Sequence, residues 1–542
     1  MIRTFLPSLL ASAVLLGTSL LSTPAAAQAP AKQWDKTFGG SYRDELTVMR
    51  PTREGGVILG GYSTSNISGD RTQASPGYGD YWVVKVDAAG NKQWDKAFGS
   101  SGNGLLKALQ QTPDGGYLLG GEAESIADGD KTQVGNGDYD YWIIKIDANG
   151  TKQWDKTFGG QGVDHLTGVE LTADGGYILL GSSDSGIGGD KTQANRGSYD
   201  FWVVKIDAVG NKVWDKTFGG ATRDYAFSLC TTRDGGVLLV GDSSSPISGD
   251  KSQAEQGNLD FWVVKLNATG TKEWDRTLGG SLSDQALGVQ QAPDGNYLIA
   301  GTSYSGISGD KTQASKGNSD IWVVKLDPLG NKVWDRSLGG NRHEDANSIL
   351  ATSDGGMIVA GSSFSGISGD KTQPSRGGYD FWLVKLDGVG TTQWDLSLGG
   401  PDHDPASALA SQPNGGLVVA GTTYPGIGGD KTQIGYGEED FWLVKLQDAT
   451  ITGVRPTLTK EPLTIYPNPA HNRLTLHLAA EAPRTGLRLS LLDALGRSVY
   501  AQPLGAGGPD VSVEVGQHPA GLYLLRVEGP DGYAATQRVV LE

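Results

Sequence analysis

A carboxylate recurs every 60 residues within a Gly-Asp-Lys-Thr-Gln segment, and it is the most regular group in the sequence that could bind a ligand. The first copy is Gly69-Asp70-Arg71-Thr72-Gln73, and all seven repeats contain an equivalent. The seven carboxylates are Asp70, Asp130, Asp190, Asp250, Asp310, Asp370 and Asp430. Each lies in a long polar connection between two strand patterns, where loops often carry function. The spacing therefore makes these loops the candidate site for a ligand.

A second set of carboxylates follows the repeated Trp-Asp-Lys-Thr-Phe segment. It includes Asp44, Asp164 and Asp224, whereas Gly104 interrupts the series. We expect both sets on one rim of the repeat array. Ca²⁺ takes several oxygen ligands, but the spacing typical of a calcium loop is missing, so no metal is predicted. For these loops we favour a structural role, in which Asp70 and Thr72 fold their own loop through hydrogen bonds from side chain to backbone, over contact with a ligand.

Catalysis finds little support in the residue types. None of the six histidines recurs in every repeat or belongs to a His-Glu-x-x-His pattern, and no Gly-x-Ser-x-Gly segment is present. Near-identical repeats offer no unique asymmetric group of the kind an active site requires. We therefore predict a protein that is not an enzyme and needs no cofactor. The numerous carboxylates leave a glycosidase or lyase as the alternative.

The tryptophans show how regular the repeat is. They form two series that each step by 60 residues without an insertion. The series are Trp34, Trp94, Trp154, Trp214, Trp274, Trp334, Trp394 and Trp82, Trp142, Trp202, Trp262, Trp322, Trp382, Trp442. Identical spacing indicates identical units packed with fixed geometry. We expect both series in the core.

Each repeat carries four strand patterns, which in the first copy are residues 32–38, 45–52, 57–61 and 81–87. Turn glycines separate them, for example Gly55 and Gly90. These features predict an all-β fold in which seven four-stranded blades close into a β-propeller. An open β-solenoid is the alternative, but its repeats are shorter and it needs a capping unit.

The array begins with one strand pattern and ends with the pattern that precedes it. We therefore expect residues 32–38 to complete the last blade by pairing antiparallel with Phe441 to Leu446. Within each blade, pairing of Asp87 with Asn91 would place Lys85 and Asp95 on the same face. This register predicts a structural ion pair between them.

The composition limits the classes of partner that this protein is expected to bind. The formal charge is −16 and the pI is about 4.9, which disfavours nucleic acid and anionic lipid and leaves neutral or basic ligands and sugars. Cys230 is the single cysteine, so neither an internal disulfide nor a zinc site built on paired cysteines is expected.

The first 27 residues have the pattern of a secretory signal peptide. Arg3 precedes an apolar run from Phe5 to Leu21, and Ala25-Ala26-Ala27 resembles a cleavage site. No later apolar stretch is long enough to stop transfer, so the mature chain is expected to lack a transmembrane segment. This pattern predicts an exported protein.

The repeats resemble those of bacterial extracellular β-propellers, as in Trp154–Gly160 (WDKTFGG) and Asp174–Gly181 (DGGYILLG). We assign the propeller to residues 28–447, a linker to 448–461 and a C-terminal domain to 462–542. The last segment resembles the sorting domain of the type IX secretion system of Bacteroidetes. The residues that carry this resemblance are Tyr466, Pro467, Asn468, Pro469, Gly496, Gly521, Tyr523 and Arg538.

This resemblance implies an immunoglobulin-like β-sandwich that is recognised by the secretion machinery. It also implies a cargo that is either anchored at the cell surface or released. Taken together, the sequence predicts a secreted or surface propeller with a binding, adhesion or display role toward a glycan or protein. An extracellular polysaccharide-processing enzyme is the alternative.

Overall fold

The computed structural model describes residues 28–412, 416–447, 464–466, 468–477, 487–492, 498–504, 510–528 and 534–541. The signal peptide and the linker predicted above lie outside the described residues. The chain divides into two compact units, Met1–Gln447 and Asp448–Glu542. Among the residues described, the structure contains no helix whose length and hydropathy would suffice to cross a bilayer.

The first unit consists of seven four-stranded antiparallel sheets, here called blades 1 to 7. The chain enters with β1 (Lys32–Phe38). Blade 1 contains β2 (Asp44–Pro51), β3 (Val57–Ser63), β4 (Asp80–Val86) and β5 (Lys92–Phe98). Blade 2 contains β6 (Gly104–Gln111), β7 (Tyr117–Glu124), β8 (Tyr139–Ile146) and β9 (Lys152–Phe158). Blade 3 contains β10 (Asp164–Leu171), β11 (Tyr177–Ser183), β12 (Asp200–Ile206) and β13 (Lys212–Phe218).

The remaining blades repeat this order. Blade 4 contains β14 (Asp224–Thr231), β15 (Val237–Ser243), β16 (Asp260–Leu266) and β17 (Lys272–Leu278). Blade 5 contains β18 (Asp284–Gln291), β19 (Tyr297–Ser303), β20 (Asp320–Leu326) and β21 (Lys332–Leu338). Blade 6 contains β22 (Glu344–Ala351), β23 (Met357–Ser363), β24 (Asp380–Leu386) and β25 (Thr392–Leu398). Blade 7 contains β26 (Ala406–Ser411), β27 (Leu417–Thr423), β28 (Asp440–Leu446) and β1.

Blade 7 is assembled from both ends of the repeat array. Strand β1 pairs antiparallel with β28, with Phe38 opposite Phe441 and Lys32 opposite Leu446. The predicted split blade is therefore confirmed, and the pairing closes the ring without a covalent bond.

Turn glycines explain why each blade folds as a meander. Gly55 has φ +88° between β2 and β3, and Gly90 has φ +81° between β4 and β5. Both values lie in the left-handed region, which glycine adopts without a steric penalty. The Asp87 carboxylate also accepts bonds from the backbone amides of Ala89 and Asn91, each 2.9 Å long. This side chain therefore fixes the hairpin between β4 and β5.

The core lies between adjacent blades. The tryptophans of the Trp82 series have no exposed surface, and six of the seven blade interfaces pair such an indole with an aromatic ring of the preceding blade. Tyr81 and Trp142, for example, have ring centroids 4.9 Å apart. The core prediction is confirmed for this series. The Trp34 series lies on the outermost strands and is half-buried, except that Trp394 is 7% exposed.

The predicted ion pair between Lys85 and Asp95 is wrong. The β4–β5 ladder is irregular between Lys85 and Val86, which places Lys85 opposite Trp94 and Asp95 opposite Val84. This one-residue shift puts the two charged side chains on opposite faces. The equivalent lysines bind a turn carboxylate instead, as in the 2.9 Å contacts of Lys145 with Asp114 and Lys265 with Asp234.

Two antiparallel sheets form the second unit. In chain order its strands are β29 (Thr464–Tyr466), β30 (Arg473–His477), β31 (Leu487–Leu492), β32 (Ser498–Leu504), β33 (Asp510–Glu514), β34 (Gly521–Glu528) and β35 (Ala534–Leu541). The sheet orders are β29-β30-β33 and β32-β31-β34-β35. Leu474 and Leu476 from the first sheet pack with Leu489, Leu525 and Val539 from the second. The unit is a β-sandwich.

Candidate functional site

A bulge in each innermost strand directs one side chain into the central channel. In blade 1 the ladder between β2 and β3 shifts between Leu46 and Val48, and Thr47 is the extra residue. The same shift occurs in the other six blades. We call the seven bulge residues the neck ring. They are Thr47, Lys107, Thr167, Phe227, Leu287, Asn347 and Ser407.

The neck ring joins two cavities along the channel. One, of about 480 Å³, is lined by the second halves of the innermost strands, such as Arg50 and Glu170. The other, of about 670 Å³, lies on the side of the long polar loops and is lined by residues that include Arg43 and Tyr424. We call the larger cavity the mouth. Both volumes are in the range of small-molecule sites.

Aromatic rings and one carboxylate form the wall of the mouth at blades 2 to 4. Nδ1 of His165 lies 2.7 Å from Oε2 of Glu122, whose side chain is 7% exposed. This hydrogen bond raises the pKa of His165, although burial opposes the shift. The imidazole lies 5.9 Å from the ring of Tyr199 and 6.1 Å from that of Tyr225. The wall therefore presents flat rings beside a fixed acid-base pair.

Ion pairs form the wall at blades 1 and 7. Arg43 binds Glu439 through Nε and Glu45 through Nη2, each at 2.7 Å. The phenol of Tyr424 donates a 2.8 Å hydrogen bond to the other oxygen of Glu439. One guanidinium serves both carboxylates, so this wall offers polar contacts and keeps one excess negative charge.

The repeated Asp70 series lies on the rim, outside the mouth. The amide of Asp70 donates a 2.8 Å hydrogen bond to the carbonyl of Gly39, so the two sets of loops do adjoin. Three members of the series bind a cation of the preceding blade's loop. These pairs are Arg196–Asp250 (3.0 Å), Lys316–Asp370 (2.6 Å) and Arg376–Asp430 (3.0 Å). Asp130 also lines a separate cavity of about 460 Å³. A ligand role for the series stays a prediction.

The second predicted set is buried. Asp44, Asp164 and Asp224 have no exposed surface. Asp44 accepts a 2.7 Å bond from the amide of Gly40 and a 2.9 Å bond from the hydroxyl of Ser65, and the other two carboxylates have equivalent partners. These three carboxylates hold the loops before the innermost strands of blades 1, 3 and 4. Within the described ranges, no group of three His, Cys, Asp or Glu side chains is arranged to hold a metal ion.

The sequence patterns did not predict the residues of the mouth, because these residues differ from blade to blade. The rim segment is nearly identical in all blades, whereas the neck ring contains six residue types at seven equivalent positions. The signal in the sequence that could have indicated these residues was the set of positions at which an otherwise regular repeat varies. That they face one cavity depends on the bulge, which the strand patterns do not reveal.

The structure describes six of the eight predicted sorting residues. The side chain of Asn468 accepts a 2.9 Å bond from the amide of Val540, and the Tyr523 hydroxyl donates a 2.9 Å bond to the carbonyl of Pro519. Tyr466 and Pro469 are exposed, Gly521 begins β34, and Arg538 pairs with Leu524 through the backbone. Pro467 and Gly496 lie outside the described residues.

Seven four-stranded blades around a channel define a β-propeller. Residues 464–542 match the family described as the secretion system C-terminal sorting domain. This chain is therefore a β-propeller protein with a type IX sorting domain, which directs it to the cell surface or the extracellular space.

Similarity to individual proteins is more limited. The chain is 28% identical over 236 residues to the regulatory protein FlaEY of Caulobacter vibrioides, a match that covers 40% of this chain and 25% of that protein. The WD40 domain of Neurospora crassa Pan2 is 11% identical with a TM-score of 0.42, covering 75% of this chain and 89% of that one. A puromycin hydrolase is 13% identical with a TM-score of 0.34, covering 74% and 62%.

Proposed function

We propose that the propeller is an extracellular binding module that holds one ligand in the mouth. The observation that carries this proposal is the contrast between two parts of the same face. The rim carboxylates are nearly the same in every blade and make bonds that hold the loops. The mouth brings together side chains that differ from blade to blade, and a specific site requires such a unique arrangement.

The shape and chemistry of the mouth support this function. Its volume of about 670 Å³ suits one or two sugar rings or a short peptide. Aromatic rings lie on one wall, and hydrogen-bond donors and acceptors lie on the other. One bound ligand per chain distinguishes this proposal from binding at the rim, where the seven equivalent positions of the Asp70 series would hold several ligands.

The test is a glycan and peptide array probed with the full secreted chain and with Thr167→Trp, which places an indole in the channel. The matched control is Thr271→Trp on the exposed hairpin between β16 and β17, far from the channel. We expect Thr167→Trp to lose at least tenfold in affinity, Thr271→Trp to bind like the parent chain, and calorimetry to give one ligand per chain. Unchanged affinity of a folded Thr167→Trp variant would contradict the proposal.

One observation favours a second candidate, a polysaccharide-processing enzyme. The 2.7 Å contact between His165 and Glu122 orients an imidazole, and an imidazole held by a carboxylate can transfer a proton. An enzyme would release new reducing ends or unsaturated products from a polysaccharide, and His165→Gln would abolish them. A binding module would retain the bound glycan unchanged.

A further inference from the structure

We propose that the mouth recognises an acidic sugar, a uronic acid residue whose carboxylate binds Lys107 and whose ring stacks on the aromatic wall. This inference rests on the proposed binding function and names its ligand class. Two independent features support it: a cation in the mouth that has no hydrogen-bonded partner among the described residues, and the division of the neck ring into a polar and an apolar half.

The charge argument begins with the cations that line the mouth. Arg43 is bound by Glu45 and Glu439, and His165 is bound by Glu122. Lys107 is the third cation, and among the described residues no carboxylate or other hydrogen-bond acceptor pairs with its ammonium. A partly buried ammonium is stabilised by a hydrogen-bonded partner of opposite charge. A ligand carboxylate would supply that partner.

The neck ring fits a ligand with two kinds of surface. Lys107 stands between Thr47 and Thr167 of the adjacent blades, and Ser407 and Asn347 continue this polar arc. The amide of Asn347 is already committed, because it donates a 2.6 Å bond to the carbonyl of Ala406. This bond fixes the Asn347 side chain within the polar arc.

The other side of the neck ring is apolar. Phe227 and Leu287 occupy blades 4 and 5, and the ring of Phe227 lies 5.3 Å from that of Tyr225. A pyranose presents a flat row of C–H groups that suits the electron-rich face of an aromatic ring. An acidic peptide would satisfy Lys107 but has no comparable flat face. The combination therefore favours a sugar that carries a carboxylate.

The overall charge of −16 does not prevent this contact. At physiological ionic strength, charges on the surface are screened beyond about 8 Å, whereas a contact inside the channel is screened much less. Repulsion from the acidic surface would act mainly on long polyanions. We therefore expect short oligomers and chain ends to bind more tightly than internal segments of a long polyuronate.

The test is calorimetry on the full secreted chain with three probes of equal length: trigalacturonate, the uncharged trimer of galactose, and a tri-aspartate peptide. We expect trigalacturonate to bind one per chain and at least tenfold more tightly than either other probe. Lys107→Gln should weaken trigalacturonate binding by about 10- to 100-fold, the usual effect of losing a hydrogen bond to a charged group. Lys107→Arg should retain most of the affinity.

The matched control is Lys156→Gln, which removes the same charge from outer strand β9. Thermal unfolding of each variant verifies that it is folded. Equal affinity of the uncharged trimer would overturn the inference while leaving the binding function intact, and equal affinity of tri-aspartate would assign the site to acidic peptides instead. Absence of trigalacturonate binding, or an unchanged affinity in folded Lys107→Gln, would also overturn it. Failure of the proposed function has a different result, because folded Thr167→Trp would then keep its affinity for the ligand that the parent chain binds. If only the present inference fails, Thr167→Trp still loses that ligand.

Discussion

The ring of Phe441 lies 4.8 Å from the indole of Trp82, although 359 positions of the chain separate them. Phe441 belongs to the last blade and Trp82 to the first, and neither has exposed surface. The same contact joins Phe201 of blade 3 to Trp262 of blade 4, also at 4.8 Å. The seam of the ring is therefore packed like the other blade interfaces.

Removing the aromatic ring at the seam should loosen both ends of the array together. Phe441→Ala is expected to cost about 3–5 kcal/mol of unfolding free energy, the usual range for a buried phenylalanine. Hydrogen exchange should then rise in blades 1 and 7 at once. Phe201→Ala is the matched control and should affect blades 3 and 4 instead. Full protection of blade 1 in Phe441→Ala would contradict this expectation.

The strand that completes the seam allows a second measurement. Trp34 in β1 is half-buried, so Trp34→Ala should cost about 1–3 kcal/mol, less than a fully buried tryptophan. Deleting residues 32–38 removes one of the two partners of β28 and should expose to hydrogen exchange those amides of residues 440–446 that bond to β1 rather than to β27. If those amides kept full protection after the deletion, β1 would not be what covers β28.

Stability should be greatest on the acid side of neutrality. Burial raises the pKa of Asp80, Asp200 and Asp260 to about 6 and that of Asp440 to about 7. These carboxyls are neutral in the folded chain at a pH where the unfolded chain already ionises them. Their contribution is full below about pH 4 and is lost as the pH rises through 6 to 7. Unfolding measured at pH 5 and pH 8 should therefore give the higher midpoint at pH 5.

At low pH the stability changes in the opposite direction, because it falls as the pH is lowered. Hydrogen bonds from Lys205 and Thr172 lower the pKa of Asp174 to about 2, so the stability it contributes is lost only as the pH falls below about 4.

Asp440→Asn should remove on the order of 2–4 kcal/mol of the pH-dependent change between pH 4 and 8. The control Asp402→Asn, at an exposed position, should leave the profile unchanged. A midpoint that rises steadily from pH 5 to pH 8 would show that the buried carboxyls are charged at little cost.

Much of the fold could be predicted because it depends on local patterns that recur. The pattern at residues 32–38 gave the bounds of β1, and its position at the start of the array predicted the split blade. The ion pair between Lys85 and Asp95 could not be predicted correctly, because one irregular residue in the β4–β5 ladder moves every later side chain to the other face.

The mouth illustrates a different limit. Lys107 has no distinctive neighbours in the sequence, and its role arises from the bulge that points it into the channel and from residues 60 or more positions away. A carboxylate that recurs, such as Asp44, indicates a repeated role, and in a propeller that role can be to hold a loop rather than to contact a ligand. Asp44 is such a case, since it binds the backbone of its own loop.

The sorting domain should determine the final location of the exported protein. Deleting residues 462–542 removes the β-sandwich, so the truncated chain should reach the periplasm but not the surface. Surface labelling in a host with this secretion system measures the outcome, and protease resistance of the retained chain verifies that the propeller is folded. Undiminished surface labelling of the truncated chain would show that another segment directs its export.

The rim pairs allow the structural and ligand-binding interpretations of the Asp70 series to be separated. Lys316 and Asp370 lie 2.6 Å apart, and their side chains are 31% and 28% exposed. Partly exposed pairs of this kind contribute about 0.2–1 kcal/mol. A double-mutant cycle of Lys316→Ala and Asp370→Ala should therefore give a coupling energy within that range, with binding to the mouth unchanged.

Asp190 supplies the matched control for this cycle. Its carboxylate accepts a bond from the amide of Gly159 (3.3 Å), but the residue at the position of Lys316 in the preceding blade is Asn136, which bonds to the carbonyl of Gly159 instead. Asp190→Ala should consequently destabilise the chain through the loop alone, with no coupling to Asn136→Ala. Changing all seven aspartates to alanine should lower the unfolding midpoint yet leave ligand affinity within about twofold, because the mouth does not include them. If a folded sevenfold variant lost binding instead, the rim would be the ligand site and the mouth would not.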